Sequence, residues 1–113
     1  MRYDPSSTDI EERLGLANLV AATFPDWLLA STHVVWAESM GDWAGRGWRC
    51  NVYGPCVSPT CDRGLFQINC IWAETMNALG FDFYVDVFIP EKNIQMARLI
   101  FDWSGPCAWT TAC

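Results

Sequence analysis

Positive charge is scarce in this sequence. Seven lysines and arginines stand against thirteen aspartates and glutamates, so the net charge is −6 over 113 residues. Lys92 is the only lysine, and the arginines are scattered along the chain. Because nucleic acids are bound by clustered basic side chains, the sequence argues against a nucleic-acid partner. The same acidity gives no electrostatic attraction to anionic membranes or cell walls.

Long apolar runs are also missing. No segment approaches the roughly 18 consecutive apolar residues of a membrane-spanning helix, so no membrane insertion is expected. Residues 1–7 contain no basic segment followed by an apolar one, so no signal peptide is predicted. The sequence shows no repeat, low-complexity segment or linker. We therefore predict one domain over residues 1–113, with residues 1–7 as a flexible leader.

Cysteine, in contrast, is abundant for a chain of this size. The six cysteines are Cys50, Cys56, Cys61, Cys70, Cys107 and Cys113. An even number of cysteines in a small domain predicts up to three disulfide bonds and an oxidising, extracellular environment. Zinc binding is the alternative, but the cysteines lack the paired short spacings of a zinc ribbon. No metal or other cofactor is predicted, and the disulfide pairing stays open.

The spacing of apolar residues predicts an α+β domain that is mainly helical. Helices are expected from about Asp9 to Thr23, Asp26 to Met40, Ile71 to Leu79 and Pro90 to Ser104. Residues 41–63 are expected to form a loop or small hairpin, and residues 65–69 a short strand or turn. Residues 81–89 are strongly apolar, and periodicity leaves strand, loop and short helix open. Trp27, Trp36 and Trp103 are expected in the core.

Two carboxyl groups stand at the ends of the segment from Glu38 to Trp72. Glu38 ends the predicted second helix and continues its apolar stripe, where desolvation favours the protonated form of a carboxyl group. Asp62 lies in a polar segment beside Arg63, whose charge favours the ionised form if it turns toward the aspartate. One protonated and one ionised carboxyl group are what hydrolysis of a glycosidic bond requires.

Glu38-Ser39 is followed by Asp62-Arg63-Gly64-Leu65-Phe66-Gln67-Ile68-Asn69 and Trp72, and later by Asn93-Ile94, Ala97, Ile100, Ser104-Gly105 and Trp109. This pattern resembles the lysozyme superfamily, most closely the chicken-type lysozymes and the lysozyme-like transglycosylase domains of bacteria and phages. The resemblance runs from roughly Pro25 to Trp109. It implies a lysozyme-like α+β fold with a small loop or β-hairpin lobe and a catalytic cleft.

The resemblance also implies an activity and a set of site residues. Glu38 would be the general acid, and Asp62 would occupy the place of the second carboxylate. The substrate would be the β-1,4 bond between N-acetylmuramic acid and N-acetylglucosamine in peptidoglycan. The residues implied in substrate binding are Gln67, Asn69, Trp72 and Trp109. Among them Trp72 would stack on sugar rings, whereas Trp109 would pack near the acid and keep it dry.

Two other functions stay open. A lytic transglycosylase would form 1,6-anhydro products without water and would not need Asp62 as a catalyst. A lysozyme-fold protein without catalysis would serve as a glycan-binding module. The segment between Glu38 and Asp62 is longer than in animal lysozymes, and the cysteine positions differ from theirs. The acidic charge fits an extracellular or virion-associated enzyme, delivered by a phage particle or a larger secreted assembly.

Overall fold

The computed structural model describes residues 10–27 and 62–109. In these ranges the chain is mainly helical, with one two-stranded antiparallel sheet. The helices are α1 (Ile10–Thr23), α2 (Ala73–Ala78), α3 (Phe83–Asp86) and α4 (Pro90–Ser104), and the strands are β1 (Asp62–Arg63) and β2 (Ile68–Asn69). Short 3-10 helices occupy Pro25–Trp27, Cys70–Trp72 and Pro106–Ala108. The predicted class, α+β and mainly helical, is confirmed at this level.

The ends of the two long helices agree with the predictions from proline and glycine. α1 ends at Thr23, and Pro25 begins a 3-10 helix because its ring is tolerated in a first turn. α4 begins at Pro90 and ends before Gly105, whose φ of 69° lies in the left-handed region. Of the helix predicted from Asp26 to Met40 only Asp26 and Trp27 are described, in the 3-10 helix Pro25–Trp27. The rest of it, and almost all of the loop at 41–63, lie outside the described residues.

The apolar segment at 81–89, which periodicity left undecided, contains the short helix α3. The Asn77 side chain stabilises the first turn of this helix, because its Oδ1 accepts a hydrogen bond of 2.9 Å from the Phe83 N–H. Phe83 and Val87 are fully buried. The segment is therefore a helical connection. Phe83 and Val87 belong to the core, while Tyr84 and Val85 face solvent.

One hydrophobic core joins the described elements. Its largest fully buried side chains are Phe24, Phe66, Phe83, Leu16, Leu65, Met76, Ile94, Met96, Ile100 and Val20. α1 packs against α4, and the turn between the strands contributes two adjacent core residues, Leu65 and Phe66. The buried face of α4 consists of Ile94, Met96, Ala97 and Ile100, with Phe101 partly buried beside it. In the described ranges no helix is both long and apolar enough to cross a membrane.

The prediction that Trp103 belongs to the core is wrong. Its side chain is 49% exposed, although it lies on the same helical stripe as Met96 and Ile100. Trp103 is in the last turn of α4, and the aromatic ring that it meets there is that of Trp72 rather than a core side chain. Trp27, by comparison, packs against the core and stacks on Phe101 with ring centroids 4.6 Å apart.

Candidate functional site

The site is built on a tight hairpin. In its register Asp62 pairs with Asn69 and Arg63 with Ile68, so residues 64–67 make the turn. Gly64 and Gln67 both have positive φ, 80° and 50°, and the Gln67 N–H donates to the Gly64 carbonyl at 3.0 Å. The Gln67 side-chain amide donates to the same carbonyl at 2.9 Å. A non-glycine residue in this conformation is uncommon, and such strain is concentrated at functional sites.

A buried amide fixes this turn to α4. The Asn93 side chain is fully buried; its Oδ1 accepts a hydrogen bond from the Phe66 N–H, and its Nδ2 donates to the Val87 carbonyl, both at 2.9 Å. Gly64 packs so closely that an added Cβ would lie 2.2 Å from Asn93 Nδ2. A buried amide that is hydrogen-bonded through both its nitrogen and its oxygen holds its neighbours in one arrangement. The hairpin therefore has a fixed position relative to α4.

Asp62 and Asn69 are joined by their side chains. Asn69 Nδ2 donates a hydrogen bond of 3.0 Å to Asp62 Oδ1. The Oδ1 of the same amide accepts a hydrogen bond of 2.9 Å from the Ile71 N–H, so Asn69 caps the 3-10 helix Cys70–Trp72. One side chain thus orients the carboxylate and also fixes the start of the turn that carries Trp72.

The predicted site residues within the described ranges meet in a single cleft. From residues 62–109 its lining includes Asp62, Gln67, Ile68, Asn69, Trp72, Ile100, Ala108 and Trp109. Five of these were predicted from the sequence, and the other three supply apolar surface. The cavity measures about 40 Å³, space on the order of three water molecules. Space of this size admits a small substituent rather than a whole ring.

Trp109 is a buried wall of the cleft. Its side chain is 4% exposed, and its indole N–H donates to the Phe66 carbonyl at 2.8 Å. Its ring packs against Phe66 and Trp27, with centroids 5.7 and 5.6 Å apart. A buried tryptophan whose N–H is already bonded offers apolar surface rather than hydrogen bonds. This geometry suits the packing role that the resemblance implies better than a role in stacking on sugar.

Trp72 has a different environment, because it is only half-buried. Its ring lies beside that of Trp103, with centroids 5.8 Å apart and planes 24° from parallel. Reasoning from the sequence missed this pair. The available signal was the position of Trp103, one turn beyond Ile100 and directly before Ser104-Gly105, where an apolar stripe leaves the core.

Arg63 packs on a different side of the hairpin from Asp62. The residue is buried, and its guanidinium carbon lies 4.9 Å from the centre of the Tyr84 ring. Successive side chains of a strand point to opposite faces, so Arg63 and Asp62 leave β1 in different directions. The Tyr84 ring is therefore one of the groups against which the guanidinium packs.

Glu38, the predicted general acid, lies outside the described residues. Cys70 and Cys107 are both disulfide-bonded, and each is the chain neighbour of a cleft residue, Asn69 and Ala108. The described ranges contain no group of three or more histidine, cysteine, aspartate or glutamate residues that could hold a metal ion.

Compared with known proteins, the chain matches no family model, no curated protein and no solved structure. The chemistry of the cleft therefore rests on its own residues. It combines a carboxylate, two amide side chains and an aromatic ring that is partly open to solvent. Carboxylate and amide groups hydrogen-bond hydroxyl and acetamido groups, and an aromatic face covers the apolar face of a sugar ring.

Proposed function

We propose that this protein is a lysozyme-like glycoside hydrolase that cleaves the β-1,4 bond between N-acetylmuramic acid and N-acetylglucosamine in peptidoglycan. The observation that carries the proposal is the shared cleft of Asp62, Gln67, Asn69, Trp72 and Trp109. The sequence resemblance implies a site role for each of these five residues, and the structure lines one cleft with all of them. Their assembly around one small cavity supports a shared role for them.

In this proposal Glu38 donates its proton to the leaving oxygen of the glycosidic bond, and the water that then attacks the anomeric carbon returns a proton to Glu38. The positive charge that develops on the sugar is stabilised by the carboxylate of Asp62, either as a nucleophile or as an electrostatic partner. Asn69 supports that role because its amide N–H holds one carboxylate oxygen at 3.0 Å. Preorganised groups of this kind lower the barrier without moving during the reaction.

Binding is assigned to the amides and to Trp72. The cavity of about 40 Å³ accommodates a substituent such as an acetamido group, which both sugars of peptidoglycan carry. Trp72 is half-buried at the edge of the cavity and is suited to cover the apolar face of the attached ring. The net charge of −6 gives no attraction to an anionic wall, so this binding depends on contacts at short range.

The test is mass spectrometry of the soluble products that the purified protein releases from peptidoglycan. Products with reducing N-acetylmuramic acid ends would support the proposed hydrolysis. Products with 1,6-anhydro ends would overturn hydrolysis and establish a lytic transglycosylase. An absence of products, with retained binding to glycan strands, would overturn catalysis and favour a glycan-binding module.

A further inference from the structure

Trp103 is an exposed aromatic ring next to the candidate cleft. Half of its side chain is open to solvent, although tryptophan is normally highly buried. Trp103 does not line the cavity, whereas Trp72 does. The centroids of their two rings are 5.8 Å apart. Core packing therefore does not account for its position, since the fully buried side chains of α4 end with Ile100.

The two rings together extend the aromatic surface beyond the cavity. The rings are stacked with planes 24° from parallel, so Trp103 covers part of one Trp72 face, while half of Trp103 itself stays exposed beyond it. The ring faces carry partial negative charge, and the C–H groups of a pyranose ring carry partial positive charge. Neighbouring tryptophans at a cleft edge are therefore suited to neighbouring sugar units of one strand.

We propose that Trp103 binds a sugar unit of the glycan strand beyond the units held in the cleft, so that Trp72 and Trp103 form a two-ring platform. The inference rests on the proposed function, because it names a further binding position for the same glycan. Trp103 touches the substrate but not the reacting bond. Its contribution thus belongs to the binding of long strands and not to the chemical step.

The experiment compares substrates of two lengths. Tetrasaccharides and octasaccharides of alternating N-acetylglucosamine and N-acetylmuramic acid are prepared from peptidoglycan, and initial rates give KM and kcat for each. Trp103→Leu keeps apolar volume against Trp72 but removes the aromatic face, whereas Trp103→Phe keeps an aromatic face. Leu79→Ala is the control, because Leu79 is 53% exposed and does not line the cleft.

For Trp103→Leu we expect KM for the octasaccharide to rise by roughly threefold to tenfold, because the binding contribution of one aromatic contact is lost. Its kcat and the KM for the tetrasaccharide should stay within twofold of the wild-type values. Trp103→Phe should recover most of the loss, and Leu79→Ala should behave like the wild-type protein.

Two results would overturn the inference. An unchanged KM for the octasaccharide would mean that Trp103 does not contact sugar. An equal loss for both lengths with a reduced kcat would mean that Trp103 only supports Trp72. If the wild-type protein cleaves neither substrate, the proposed function itself fails, and that failure is seen before any variant is made.

Discussion

At the scale of single residues, the side-chain amide of Asn69 makes two hydrogen bonds with different functions. Its Nδ2 donates to Asp62, and its Oδ1 caps the 3-10 helix that leads to Trp72. A change at Asn69 therefore affects the orientation of the carboxylate and the position of the aromatic ring together. This double role separates Asn69 from residues that only stabilise the fold.

We expect Asn69→Ala to lower kcat/KM on glycan strands by roughly tenfold or more, because a hydrogen bond to a charged group is lost. The loss of the cap should also reduce the free energy of unfolding by about 1 kcal/mol. Asn77→Ala is the matched control, since Asn77 also accepts a backbone N–H but lies outside the cleft lining. Equal activities of the two variants would contradict the assigned role of Asn69.

Isosteric substitutions distinguish the roles of the two carboxyl groups, Glu38 and Asp62. Glu38→Gln should reduce the rate of cleavage by roughly 10² to 10⁴, the contribution of a general acid. Asp62→Asn should reduce it by a smaller factor, still at least roughly tenfold, because electrostatic stabilisation is lost. Asp86→Asn, in α3 and outside the cleft lining, should leave the rate unchanged. Full activity of Asp62→Asn would indicate a transglycosylase mechanism.

Some of these residues could be predicted because their arrangement is local. A tight turn that begins at Gly64 places Asp62 opposite Asn69 by its register alone. The anchor at Asn93 could not be predicted, because it joins positions 27 residues apart. The exposure of Trp103 has a different cause: the apolar stripe continues to this residue, and only its place in the last turn before Gly105 indicates that the packed surface of α4 has ended.

At the scale of secondary-structure elements, the hairpin depends on one glycine. A Cβ at Gly64 would lie 2.2 Å from Asn93 Nδ2 and 2.3 Å from the Val87 carbonyl oxygen, in a residue with φ of 80°. Conformation and space both exclude a side chain here. The hairpin, α3 and α4 therefore meet at a point that leaves room only for glycine.

Gly64→Ala should reduce the free energy of unfolding by about 2 to 4 kcal/mol, since backbone strain and displacement of Asn93 add together. Gly80→Ala is the control at a similar positive φ, 98°, with nothing within 4 Å of the added Cβ, and should cost only about 1 kcal/mol. Urea denaturation measures both values. Equal costs for the two variants would show that close contact at Gly64 is unimportant.

Element boundaries were predictable wherever proline or glycine marks them. Pro90 and Gly105 define both ends of α4, and Gly80 has the positive φ expected after a helix. Residues 81–89 carry no comparable signal. Their short helix is set by the Asn77 side chain before it and by burial of Phe83 and Val87 against other elements.

At the scale of the whole molecule, Arg98 joins the N-terminal part of the described chain to α4. Its guanidinium hydrogen-bonds both oxygens of Asp26, at 2.5 and 3.0 Å, and also pairs with Asp102 at 2.5 Å. The same group lies over the rings of Phe24 and Phe101, 5.3 and 5.1 Å from their centres. The hydrogen bonds from Arg98 lower the pKa of Asp26 below its ordinary value of 3.8.

This lowered pKa gives a pH dependence of stability with a defined sign. The stabilisation from Asp26 is fully present above the ordinary pKa of 3.8 and is lost as pH falls through the lower folded value. Asp26→Asn should therefore reduce the midpoint of thermal unfolding at pH 6, and the difference from the wild-type protein should shrink below pH 3.8. In an Arg98→Met background the same substitution should show no such dependence. A constant difference across the range would contradict the link.

The charge balance and the cysteine content could be read from the sequence, and both describe the molecule as a whole. The contact between Arg98 and Asp26 could not, because it links residues 72 positions apart. Composition constrains the kinds of partner that a chain can bind. The pairs of charges that hold its helices together depend on the packing of those helices.

The contacts that α4 makes with the rest of the molecule are spread along its length, so the length of this helix is itself constrained. Asn93 holds the hairpin near its start, Arg98 holds the N-terminal part of the described chain, and Trp103 meets Trp72 in the last turn. One inserted residue would rotate all later positions by about 100° and advance them by about 1.5 Å. Exposed positions such as Gln95 can change without this effect. In evolutionary terms, selection should act more strongly on the length of α4 than on its surface composition.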